Sequence, residues 1–174
     1  MSVPRKPGPA KLVISVFLKN KDLMGIIAER LATEFGALDV VSPWYLFSHT
    51  DYYASELGSP LYRRLLAFCR LVEQDQLPDV KLFTNTLEQE FSEQGKRRVN
   101  IDPGHLVAER FVLATGKNYS HRVYLRDGIY ADLTFIYRKS AYQRLEWTYP
   151  DYAEDAIHGF LQKIRKRYLR QVVL

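Results

Sequence analysis

With 174 residues and 47% apolar side chains, the chain can bury a core without help from a metal or a disulfide. Its single cysteine, Cys69, excludes an internal disulfide and a multi-cysteine zinc site. Part of the net charge of +5 lies at Lys96-Arg97-Arg98, and part near the C-terminus, at Lys163, Arg165, Lys166, Arg167 and Arg170. There it complements the dipole of a last helix, and no run is dense enough to require nucleic acid.

Residues 1–10, with Pro4, Pro7 and Pro9, read as a flexible N-terminal arm, and residues 11–174 as a single α+β domain. The arm lacks the apolar segment of a signal peptide, and the run Leu12 to Leu18 is too short to cross a bilayer. A cytoplasmic, membrane-free protein is the expectation. That run, rich in β-branched residues, predicts a central strand. Leu23, Ile26, Ile27, Leu31 and Phe35 keep helical spacing behind Asn20 or Asp22, and Gly36 stops the helix. Val40 to Ser48 predicts a second strand, placed at an edge by Pro43. His49 to Leu61 reads as a polar and aromatic loop, and Tyr62 to Val72 as a third strand. A second helix is predicted from Pro78-Asp79 to Gly95, with Val80, Phe83, Leu87 and Phe91 inward. Arg98 to Asp102 predicts a fourth strand, closed by a turn at Pro103-Gly104. The order β-α-β-β-α-β is that of a ferredoxin-like unit.

An antiparallel meander follows. It has a strand at Glu109 to Thr115, a hairpin of His121 to Arg126 with Ile129 to Arg138 around Asp127-Gly128, and a short strand at Tyr142 to Trp147. Asp151 with Glu154 makes a capping box for a last helix that buries Ile157, Phe160, Leu161, Ile164 and Tyr168.

Familiar motifs fail. Gly116-Lys117 has the lysine of a phosphate loop, but Phe111 and Asn118 stand where the first glycine and the hydroxyl belong. There is no dinucleotide fingerprint and no histidine pair at helical spacing. Asp127-Gly128-Ile129-Tyr130-Ala131 departs from the RNA-recognition signature, although Tyr130, Phe135 and Tyr137 could stack on bases. What remains are polar clusters at strand ends: His49 to Tyr53, Asn100 to Gly104, Ser120 to Arg122 and Thr148 to Asp151. Scaffolds commonly carry their sites at such places.

Within these segments stand TDYY (50–53), LPDVKLFTNTLE (77–88), VNIDPG (99–104), YSHRVYL with GIYADLTFIY (119–137) and WTYPDY (147–152). On these phrases the chain resembles the bacterial domain of unknown function 4416 family. The resemblance implies a stand-alone bacterial protein without an established role. Where the family has Tyr after NIDPG this chain has His105, and where it has Glu this chain has Asp132. The first departure counts against chemistry at His105; the second keeps the acid but shortens it, which counts against a demanding geometric role for Asp132.

A pocket shared by the phrases would place Asp51, Asp102 and His121 as acid/base groups, the aspartates also being able to hold a hard cation. Lys81, Asn85, Asn100, Arg122 and Tyr130 would be its ligand-binding residues. Lys81 and Asn85 are four apart and share a helix face. Metal and cofactor are left open. The expected partner is a small anionic metabolite or a nucleotide. Weaker expectations are an RNA-binding sheet face and a homodimer formed through the meander or the last helix.

Overall fold

The computed structural model describes residues 1–47, 54–152 and 154–172. Strand β1 (Ala10–Leu18) is buried at all nine positions, as a continuous apolar run demands. It lies between β4 (Leu61–Val72) and β5 (Val99–Leu106), antiparallel to both. Outside β4 lie β2 (Leu38–Val41) and β3 (Tyr45–Phe47). Beyond β5 come β6 (Arg110–Thr115), β8 (Ile129–Arg138) and β7 (Arg122–Arg126), with β9 (Ala141–Arg144) on the same side of β8 as β7. The order is β2-β4-β1-β5-β6-β8-β7, a nine-stranded antiparallel sheet among the described residues.

Three long helices and one short one complete a mixed α/β molecule. Helices α1 (Leu23–Phe35) and α3 (Leu77–Glu90) cover one face, where Leu12, Ile14, Val16 and Leu18 meet Ile27, Leu31, Val80 and Leu87. Helix α4 (Asp155–Val172) covers part of the other face, setting Ile157, Leu161, Ile164 and Tyr168 against Val13, Leu65, Leu106 and Phe135. Helix α2 (Ala54–Leu57) is a single turn. No helix among the described residues is long and apolar enough to cross a membrane.

Several boundaries differ from the sequence expectations. The single strand expected over Val40 to Ser48 is two strands, β2 and β3, separated at Ser42-Pro43-Trp44. Pro43 has no N–H to give a ladder. Helix α3 stops at Glu90 rather than Gly95, which lies in a turn closed by Glu93 and Lys96. Pro103-Gly104 is not a turn: β5 runs through it to Leu106. Backbone groups of alternate residues point to opposite sides, and that of Pro103 points away from β1 to where β6 has not yet begun to pair, so no ladder bond is lost. Gly104 is required there, because a Cβ would lie 2.6 Å from the Val112 carbonyl oxygen. The strand expected over Tyr142 to Trp147 is the shorter β9. Asp151 does not cap α4, which starts four residues later; its carboxylate is held elsewhere. The β7–β8 hairpin turns at Asp127-Gly128 as expected, both residues having positive φ (53° and 77°).

Candidate functional site

The site begins with an incomplete pairing. β5 runs beside β1 from Val99 to Leu106, but β6 pairs with it only over Gly104–Leu106. From Val99 to Pro103 the outer edge of β5 has no strand among the described residues. Alternation turns the N–H and C=O of Ile101 to that edge, where burial without partners would cost about 1–3 kcal/mol per group. Helix α3 supplies the partners. Lys81 Nζ donates to the Ile101 carbonyl at 2.9 Å, and Glu88 Oε1 accepts from the Ile101 N–H at 2.5 Å. The two residues are seven apart, two turns of one helix face, with Thr84 and Asn85 between them.

The same alternation puts Asn100 and Asp102 on the face opposite α3, beside Phe17 and Ser15 of β1, while Arg63 of β4 flanks Phe17 from the other side. Asn100 Nδ2 donates to Asp102 Oδ2 at 2.6 Å, and Lys81 Nζ is 3.2 Å from Asp102 Oδ1. Arg97 gathers the lower wall. It donates to Asn100 Oδ1 at 2.9 Å and Glu88 Oε2 at 2.7 Å, and forks onto Glu56 of α2 at 2.7 and 2.8 Å. Glu56 and Glu88 hold the Arg97 guanidinium protonated, and Arg97 draws Glu56 below the usual carboxylate range. Burial pushes Glu88 up, against the pull of Lys81, the Ile101 N–H and Arg97.

The opposite wall comes from the meander. Asp132 of β8, 2% exposed, stands across from Leu113 on one side and Arg122 on the other. Its Oδ2 accepts from Arg122 Nε at 2.9 Å and lies 3.2 Å from His121 Nε2. His121 is stacked on Trp147, ring centroids 4.9 Å apart, and the Trp147 indole N–H donates to the Leu133 carbonyl at 2.7 Å. Arg122 also reaches the Tyr149 hydroxyl at 2.5 Å. Arg63, 2% exposed, pairs with Asp151 and lies over the rings of Phe17 (4.2 Å) and Tyr152 (4.5 Å).

These walls enclose a cavity of about 670 Å³, within the range of small-molecule sites. Of the residues expected from the sequence, Lys81, Asn85, Asn100 and Asp102 line it. His121 and Arg122 stand behind one of its walls and reach it through Asp132. Tyr130 does not line it; its ring meets Tyr124 at the hairpin. Of the other two stacking candidates, Phe135 is fully buried in the core and Tyr137 lies beneath the Arg165 guanidinium at 3.5 Å. Asp51 lies outside the described residues.

Sequence reasoning missed Arg63, Glu88, Arg97 and Asp151, and gave Asp132 no demanding role. For two of these a signal existed. Arg63 interrupts the alternating stripe Leu61, Leu65, Ala67, and Glu88 continues the polar stripe Lys81, Thr84, Asn85 at helical spacing.

Chemically, the arrangement offers carboxylates fixed by cations, two amides and aromatic edges. Among the described residues, no group of three or more His, Cys, Asp or Glu is placed to hold a metal ion.

Nothing among curated proteins and nothing among solved structures matches the chain. A family model described as Domain of unknown function (DUF4416) matches residues 8–168. That span takes in every strand from β1 to β9, helices α1 to α3 and all the lining residues, and the chain belongs to the DUF4416 family.

Proposed function

We propose that the chain is a small enzyme or ligand-binding domain whose ligand, a polar metabolite, occupies the cavity between β5 and the meander. The observation that carries this reading is convergence. Four separated phrases, LPDVKLFTNTLE, VNIDPG, GIYADLTFIY and WTYPDY, each contribute lining side chains to one hollow. Asp102, held by Lys81 and Asn100, is the acid/base group, and His121 acts through Asp132 as a positioning residue. Of the two cations expected to hold an anionic metabolite or nucleotide, Lys81 lines the cavity and Arg122 stands behind Asp132.

The fold reading belongs to the same proposal. The order β2-β4-β1-β5, with α1 and α3 on one face, supports a ferredoxin-like core extended by the meander and α4. A bacterial, cytoplasmic setting is proposed on the family resemblance and the unpaired Cys69.

A thermal-shift screen with nucleosides, nucleotides, sugar phosphates and divalent cations tests the site, since a ligand of the native state raises its melting point. At least one compound is expected to stabilise the wild type and not a folded Asp102→Ala variant. Equal responses from both proteins to every compound would contradict the reading.

A second reading, homodimerisation through the meander, is supported by β7. It is the terminal strand of the sheet, and Val123 and Tyr124 on it are 66% and 58% exposed. Light scattering on the eluted protein separates the two states.

A further inference from the structure

We infer that the cavity selects an uncharged nucleoside or free base and disfavours the same base carrying a phosphate chain. The inference rests on the cavity being the ligand site.

Its first support is charge balance. Among the described residues the lining carries four cations (Arg63, Lys81, Arg97 and Lys117) and four carboxylates (Glu88, Asp102, Asp132 and Asp151). Arg63 holds Asp151, Lys81 holds Asp102, Arg97 is shared by Glu88 and by Glu56 behind it, and Arg122 takes Asp132 from behind the wall, so that with Glu56 and Arg122 counted five cations face five carboxylates. A triphosphate brings several negative charges into this neutral enclosure. To be compensated it must draw cations off carboxylates that are themselves mostly buried, leaving those uncompensated. A neutral ligand requires no such exchange.

The second support is what the cavity offers instead. Asn85 lines it four residues from Lys81, and its amide makes no hydrogen bond among the described residues. A side-chain amide presents a donor beside an acceptor, the pattern that pairs with the edge of a base. Of the aromatic rings on the lining, Phe17 and Phe47 pack on each other beneath Arg63, whereas Tyr149 is exposed, and an exposed aromatic face is a usual seat of a base.

The test is calorimetric titration of the full chain with adenosine, guanosine, cytidine and uridine, and with the triphosphate of each, at about 0.15 M salt. At least one nucleoside is expected to bind about 10-fold or more tightly than its triphosphate. Asn85→Ala is expected to weaken that nucleoside by about 10-fold or more with the unliganded melting point unchanged. A triphosphate that binds more tightly than its nucleoside, and loses affinity in Asp102→Asn, overturns the inference and leaves the cavity as the site. Nucleoside binding untouched by either substitution overturns the reading of the cavity as well. Failure of all four nucleosides to bind at millimolar concentration overturns the inference alone, provided the thermal-shift screen finds another ligand that depends on Asp102.

Discussion

The two sides of β5 show how this molecule divides its labour. Toward β1 the pairing is complete from Val99 to Leu106, and on the α1/α3 face the neighbouring side chains are Leu12, Ile14, Val16 and Leu18. Away from β1 the pairing stops at Gly104, and the neighbours become Lys81 and Glu88 of α3, with Arg97 bridging Glu88 to Asn100. A finished ladder satisfies its own backbone and leaves only apolar area to bury. An unfinished one needs side chains to satisfy its backbone. Those side chains are polar, and they leave space for something else.

The comparison is broken most severely at Glu88, which is 5% exposed. Glu88→Ala leaves the Ile101 N–H without its acceptor and removes one buried partner of Arg97. A loss of about 3–5 kcal/mol is expected in urea unfolding. Glu88→Gln, which keeps the shape and an acceptor, should recover part of it. An effect of the alanine variant below about 1 kcal/mol would mean that the edge of β5 does not depend on α3.

His105 belongs to the finished half. It is 6% exposed, its Nδ1 has no hydrogen-bond partner among the described residues, and burial pushes its imidazole down to about 4 from the ordinary 6.5. Between those values the unfolded chain binds a proton that the folded chain refuses. Stability is therefore unpenalised above pH 6.5, falls as pH drops toward 4, and levels off below. The loss approaches about 3 kcal/mol. Glu88, raised by burial, works with the opposite sign, because its cost appears as pH rises through its elevated pKa. The comparison that isolates His105 is thus wild type minus His105→Leu across the pH range. A difference that stays flat between pH 6.5 and 4 would remove the assignment.

Gly104 marks the point where the two halves meet. Gly104→Ala drives a methyl group toward the Val112 carbonyl, and Leu113 and Phe111 side chains already stand 3.0 Å from the Cβ position. A destabilisation of about 1–3 kcal/mol is expected in denaturant unfolding. A neutral result would mean that β6 can move away from β5 without loss. The smallest effect is expected at Asn85, whose amide has no partner to lose among the described residues: Asn85→Ala should stay within about 0.5 kcal/mol of the wild type in the same assay.

The same division explains what could be read from the residues alone. β1, the stripe of α4 and the Asp127-Gly128 hairpin are set by local chemistry: an unbroken apolar run, helical spacing, and two residues that tolerate positive φ. Asn100 and Asp102 were legible as a pair because positions two apart in a strand share a face. The passage of β5 through Pro103-Gly104 was not legible. Those residues make a good turn unless a neighbour strand is absent at the proline and very close at the glycine, and only the sheet decides that. Asp151 was taken by a buried arginine 88 positions away rather than by the helix next to it. Local spacing carries no information about such a partner, and the cavity walls are made largely of partners of this kind.

The central claim, that the unfinished edge of β5 is where the ligand binds, is tested most directly by amide chemical-shift mapping. The isotope-labelled chain would be titrated with the compound that most stabilises it. Shifts should concentrate at Asn100–Asp102, Thr115–Lys117, Asp132 and Asp151–Tyr152, the backbone around the cavity. Shifts confined to β7 or to the outer turns of α4, with those amides unmoved, would contradict the account.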